Sequence, residues 1–159
     1  MNDKYTLFEQ VVRRSKNIGR PAASEDRGVH PFDERNIHSD ISTVSLKLFD
    51  DGHFSQATFE AFKLLENCVK SVSGLDASGF VLMMSAFNET GPKIRLNDLQ
   101  TISDKDEQLG FRHFFTGSMS AIRNRRAHEI RTDPIELCLD HLSVASVLLR
   151  TLEARKAPK

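Results

Sequence analysis

The chain has 159 residues, enough for one compact domain that buries about 68–70% of its unfolded surface without disulfides or metals as staples. Hydrophobic residues make up 39% and charged residues 28%, which places the chain among ordinary globular proteins rather than disordered or fibrous ones. Lysine plus arginine balance aspartate plus glutamate at 22 each, which argues against wholesale non-specific nucleic-acid binding but not against a local basic patch. Eleven phenylalanines, one tyrosine and no tryptophan predict a Phe/Leu-rich core, and only five prolines and eight glycines favour helices over a β-sandwich or barrel.

In chain order, Tyr5, Leu7, Phe8, Val11 and Val12 predict a short amphipathic helix over 3–17. Residues 18–34, with Gly19, Pro21, Ser24, Gly28 and Pro31, read as a linker or mobile loop. The compact domain is therefore expected to begin near Asp33, and residues 1–34 form an N-terminal appendage to a domain over 35–155 with a tail at 156–159. Ile37, Ile41, Val44 and Leu48 predict a helix from Glu34 to Phe49, stopped by Asp50-Asp51-Gly52 with the glycine in a left-handed turn. The next helix, 53–73, keeps the 3.6 period over five turns through Phe54, Ala57, Ala61, Leu64, Leu65, Cys68 and Val72; it is expected at the centre of the bundle and ends at Gly74. The apolar run Gly79–Phe87 is read as a short buried helix, and 88–100 as a long loop in which Ile94 and Leu96 make a brief extended segment. Ser103 is the expected N-cap of a helix that continues through Leu109, Phe111, Phe114, Phe115, Met119 and Ile122. Gly110 and Gly117 inside it suggest close helix–helix approach. Asp133-Pro134-Ile135-Glu136 reads as an N-cap, a first-turn proline and an acid, opening a last helix through Leu152. The fold class is all-α, a bundle of four main helices plus one or two short ones.

Cys68 and Cys138 fall within apolar helical patterns and read as small buried hydrophobes of a reducing compartment. No Cys/His spacing resembles a metal site, and no metal or other cofactor is expected. There is no apolar leader and no run of about 18 apolar residues, so a cytoplasmic protein with no membrane partner is expected.

Chemistry concentrates in Arg123-Asn124-Arg125-Arg126-Ala127-His128-Glu129. Residues 112–131 carry five arginines against Glu129 alone, a local net charge of +4. On a continuous helix Asn124 and His128 are four apart and share a face, and the long side chain of Arg123 can reach it. A guanidinium suits phosphate because its planar fork donates two parallel hydrogen bonds. A histidine with an ordinary pKa of about 6.5 populates both proton states near neutrality. Asn124 can orient the imidazole or bind ribose or phosphate, and Arg125 and Arg126 can hold flanking phosphates. The fitting reaction is metal-independent attack of an RNA 2′-hydroxyl on its own phosphodiester, which needs a base, an acid and a cation for the phosphorane. One histidine per chain supplies acid or base; two copies in a homodimer supply both. Spacing alone favours the plainer reading, arginines that cap a helix end and a satisfied interhelical histidine.

The R-N-x-x-x-H pattern at Arg123, Asn124 and His128, near the end of a bundle helix with another long helix following, resembles the motif of the HEPN superfamily. More of the chain resembles its Ymh branch, a family of uncharacterised prokaryotic proteins. The matching pieces are Leu48–Phe54 with Ala57 and Ala61-Phe62-Lys63, Leu82-Met83 to Ala86-Phe87, and Gln108, Gly110-Phe111, Phe115 and Gly117. The motif, with Ala127-His128-Glu129, completes them. Together they cover about residues 35–153. Arg125 stands where many Ymh relatives are expected to carry proline. The resemblance implies a HEPN-like bundle and a metal-independent endoribonuclease of a prokaryotic defence or toxin system. Arg123 would stabilise phosphate, His128 transfer the proton and Asn124 orient. It implies RNA as substrate, a homodimer or higher homo-oligomer, and a defence-system or antitoxin partner protein. Some HEPN proteins are non-catalytic, so a module binding RNA, a nucleotide or a partner protein is the chief alternative; a nucleotidyl-transferring or -accepting member of a toxin–antitoxin pair is a weaker one.

Outside the motif, His53 reads as a surface histidine, and Glu60, Lys63 and Glu66 as a solvated polar face. His113 and Glu129 are candidate supports for His128. A metal held by His113, His128 and Glu129 is the least favoured reading.

Overall fold

A computed structural model describes residues 28–128 and 132–155, with the backbone alone for Ala127 and His128. The helix expected over 3–17, most of the 18–34 linker, Glu129, Arg131 and the 156–159 tail lie outside the described residues. The helices are α1 (Pro31–Glu34), α2 (Ser39–Asp50), α3 (Phe54–Ser73), α4 (Gly79–Ala86), α5 (Ile102–Ser118), a π-helical segment (Met119–Asn124), α6 (Arg125–His128) and α7 (Ile135–Glu153). Among the described residues there is no strand. Four long helices and short ones between them make the all-α bundle that the HEPN-like pattern implies.

α3 is the central element: α2, α4, the π segment, α6 and α7 all pack on it. Its buried positions are Ala57, Ala61, Phe62, Leu65 and Val69, with Thr58 and Glu66 among them. Small residues in the first turns let neighbouring helices approach, and Phe62 fills the interior behind them. Opposite them, Leu142, Ala145, Leu148, Leu149 and Leu152 bury the inner face of α7. Phe87 and Phe115 stack with ring centroids 4.3 Å apart, joining the end of α4 to α5. α2 and α3 form a helical hairpin whose turn contains Gly52 at φ +80°, a conformation that costs other L-residues about 1–2 kcal/mol.

Several local expectations change. The helix expected from Glu34 becomes α1 and α2, with Ile37 buried between them. α5 starts two residues earlier than a Ser103 cap allows: Thr101 accepts from the Asp104 N–H while Asp104 accepts from the Thr101 N–H, a reciprocal capping box. The loop after α4 forms no strand at Ile94 and Leu96 because Gln108 takes the place of a pairing strand. Its amide donates to the carbonyls of Phe87 (3.3 Å) and Ile94 (2.9 Å) and accepts from the Leu96 N–H (3.0 Å). Gly110 and Gly117 do not mark close approach, since a Cβ at either would meet nothing within 4 Å.

Candidate functional site

The motif is delivered by an unbroken helical run from Ile102 to His128 that changes register on the way. A continuous α-helix was the expectation; instead Met119–Asn124 is π-helical. Three hydroxyls crowd the carbonyls just before and within that change. Thr116 donates to the Arg112 carbonyl (2.7 Å), Ser118 to Phe115 (2.8 Å) and Ser120 to Thr116 (3.2 Å). Such back-bonding loosens or bends a helix, and π turns recur at functional sites.

Arg123 leaves this segment toward α3. Its Nη2 lies 2.9 Å from Glu66 Oε2, its Nη1 donates to Asn124 Oδ1 at 3.1 Å, and its guanidinium carbon sits 5.6 Å from the Phe59 ring centre. The Arg123 Nε–H is buried and has no hydrogen-bond partner among the described residues. Glu66 is only 6% exposed, and its other oxygen accepts the Gly79 N–H at 2.6 Å. That pairing brings the first residue of α4 against the site. Gly79 has φ +53°, and a Cβ there would stand 4.0 Å from Asn124 Oδ1. Glu66, Gly79 and the Arg123-Asn124 pair thus interlock three segments of chain.

Glu66 corrects the reading of it as part of a solvated face. Its signal was in the spacing: Phe62, Glu66 and Val69 follow the buried stripe of α3, so a carboxylate inside that stripe requires a cation from elsewhere. Lys63 and Glu60 do face outward, paired with each other at 3.3 Å. His53 is exposed at the N-cap of α3. His113 is exposed and lies 15 residues before His128 in the helical run, roughly 22 Å along the axis. It neither supports His128 nor shares a metal with it.

The motif's other arginines part company. Arg125 is exposed. Arg126, expected on flanking phosphates, instead turns inward. Its Nε is 2.7 Å from Asp133 Oδ2, with the side chains 3% and 0% exposed. Its Nη1 donates to the Ile122 carbonyl at 2.8 Å and its Nη2 lies 3.1 Å from His141 Nδ1. A guanidinium only donates, so His141 Nδ1 accepts and the ring proton sits on Nε2. Asp133 is therefore no free N-cap: Pro134 caps α7, which begins at Ile135, and the Asp133 N–H donates to Ser55 Oγ at 3.0 Å. Arg123 and Asn124 are brought together; the His128 side chain lies outside the described residues.

With this geometry stands one sequence finding. A family model described as a protein of unknown function (Hypoth_ymh) matches residues 35–152. The chain belongs to the Ymh family. No curated protein and no solved structure matches it. Among the described residues of this Ymh protein, no helix is long and apolar enough to cross a membrane.

On the far side of α3 the Ymh chain has a second polar cluster. His38, Asp40 and Glu153 place ligand-type atoms within 4.8 Å of one another, and Asp40 and Glu153 also line a cavity of about 340 Å³ with Cys68 and Leu149. His38 Nδ1 accepts from the Asp40 N–H at 3.1 Å, capping α2. The ring proton is then on Nε2 and donates to Glu153 at 3.0 Å. A metal-binding imidazole needs the opposite arrangement, a bare nitrogen toward the ion and its other N–H donating outward. The cluster reads as a helix cap with an ion pair. Burial, followed by the charges of Asp40 and Glu153, pushes the Cys68 thiol up. Burial also pushes Cys138 up, offset in part by the Thr58 hydroxyl. Neither environment makes a nucleophilic thiolate.

Proposed function

We propose that this Ymh protein is a metal-independent endoribonuclease whose domain spans 35–155 and whose site is built on Arg123, Asn124 and His128. The observation that carries this reading is the Arg123 guanidinium. It is held from two sides by Glu66 and Asn124 and backed by the Phe59 ring, and its buried Nε–H has no partner among the described residues. A fixed cation with an unmatched donor suits a phosphate oxygen, and a preorganised donor is worth most where charge develops in the transition state. Arg123 binds the scissile phosphate and stabilises the phosphorane. Asn124 orients, and His128 transfers the proton that the 2′-hydroxyl loses or the leaving 5′-oxygen gains. Glu66 is a positioning residue for Arg123. Arg125 contacts a neighbouring phosphate.

Two such transfers need two groups, and a homodimer supplies them from two copies of His128. One feature of α4 supports a partner surface beside the site. The helix is apolar on nearly all sides, a pattern that ordinarily signals full burial. Yet Phe80 and Val81 are 52% and 61% exposed, immediately after the Gly79 that packs against Asn124.

The second reading, a non-catalytic module for RNA or a nucleotide, is favoured by the same ion pair, because Glu66 neutralises much of the charge that Arg123 offers an anion. Incubation of RNA with wild type and His128→Ala in EDTA separates the two. Fragments ending in 2′,3′-cyclic phosphate that disappear with His128→Ala support the nuclease; RNA binding without cleavage supports the module. The defence or toxin setting, with a partner protein, follows from the HEPN resemblance and is tested by growth arrest on expression of wild type against His128→Ala.

A further inference from the structure

The arginine nearest to His128 in sequence, Arg126, has the least contact with solvent of the ionic side chains in the described motif. Its guanidinium ties together segments that flank His128 on both sides. Two residues before His128, it holds the Ile122 carbonyl of the π segment. Five residues after His128, it holds Asp133, whose N–H is in turn anchored on Ser55 in the first turn of α3. Its third contact is His141 on α7. The ion pair therefore closes the connection between α6 and α7 at its two ends, and does so with groups excluded from water. An arginine suits this role because it stays protonated at any pH the fold survives and because its fork reaches three acceptors lying in different directions. Each of its three nitrogens is engaged, the side chain is only 3% exposed to an incoming phosphate, and Asp133 already compensates the charge.

We propose that Arg126 is a positioning residue: through Asp133, Ile122 and His141 it fixes both ends of the stretch that carries His128 and so sets the environment of that imidazole without touching RNA. The proposal rests on the ribonuclease reading only for what His128 does; its effect on the imidazole is read on the protein alone. A lysine at 126 keeps the charge but loses the fork, and is the variant of choice.

The test is the NMR titration of the His128 Cε1–H in the full chain without RNA, comparing wild type, Arg126→Lys and the exposed control Lys105→Ala. The expected result is a His128 midpoint moved by about half a pH unit or more in Arg126→Lys, with faster amide exchange at 125–133, and no change in Lys105→Ala. If Arg126→Lys does not fold by circular dichroism, the His141 tie is read instead. His141→Asn keeps an acceptor where Nδ1 stands and leaves the titration in place, whereas His141→Leu removes it and moves the titration. A His128 titration that stays put in Arg126→Lys, or in both His141 variants, overturns the proposal. So does a loss of about one unit of salt slope, the mark of a phosphate contact, in RNA binding by Arg126→Gln, which removes the charge. Where cleavage is measurable, Arg126→Lys lowers kcat by about 10²-fold with little change in KM, the pattern of a misplaced group. A chain that cleaves no RNA ends the nuclease reading and leaves the titration to decide this one.

Discussion

Arg123 and Arg126 stand three residues apart in one helical run and meet different fates. Arg126 is enclosed: a carboxylate, a carbonyl and an imidazole nitrogen receive its three nitrogens, and its side chain is 3% exposed. Arg123 remains 24% exposed, shares one carboxylate with the Gly79 N–H, and keeps a buried Nε–H unmatched among the described residues. Charge content does not distinguish them; the completeness of their partners does. A buried guanidinium with a partner on every nitrogen maintains structure, because any ligand must first break a low-dielectric ion pair. An incompletely partnered, partly exposed one offers a donor already desolvated, so a ligand oxygen that reaches it gains a bond without stripping water from the protein side.

The largest effect separating the two ends is expected at Asp133. Asp133→Asn leaves Arg126 buried without its counter-charge and costs about 3–5 kcal/mol, read as a lower urea midpoint with unchanged slope. A loss under 1 kcal/mol would mean that the Arg126 end is open to water. Glu66→Gln is the matching change at the other end. Glutamine has one acceptor oxygen for the two donors that Glu66 serves, Arg123 and Gly79, so one is stranded and stability falls by about 1–3 kcal/mol. The Arg126 end should be untouched, so combining Glu66→Gln with Asp133→Asn should be additive to within about 0.5 kcal/mol. Gly117→Ala, on the helix leading to both guanidiniums, is expected to stabilise by about 0.5–1 kcal/mol, because a helical glycine is entropically costly and the space beside it is open. Gly110→Ala should act alike, and a loss at either would restore the close-approach reading. The smallest effect is a probe. The Cys138 thiol, pushed up by burial, should alkylate much more slowly than free cysteine at pH 7–8, and Asp133→Asn should speed the reaction by opening that end.

Much of the bundle is legible in residue order because apolar spacing and helix stops act locally. α3 keeps its period over five turns, and Gly52 and Gly74 end helices where a left-handed residue is needed. The capping box at Thr101 and Asp104 was also readable, but Ile102 and Ser103 drew the start two residues onward. What order alone does not carry is which polar groups meet across the fold. Nothing local separates Arg123 from Arg126 until Glu66 and Asp133 arrive from α3 and from the segment before α7. The π segment is similar: Thr116, Ser118 and Ser120 are visible in the sequence, but whether their hydroxyls back-bond depends on what else packs there. The family match over 35–152 agrees with the pieces that carried the resemblance, whereas a family of unknown function assigns no activity, so chemistry must come from the site.

The division between the two arginines is tested most directly by the salt dependence of RNA binding in wild type, Arg123→Gln and Arg126→Gln, each variant removing one charge. If Arg123 meets phosphate and Arg126 does not, the slope falls by about one unit in Arg123→Gln and stays at the wild-type value in folded Arg126→Gln. Equal slopes in wild type and Arg123→Gln, or a drop confined to Arg126→Gln, would contradict it.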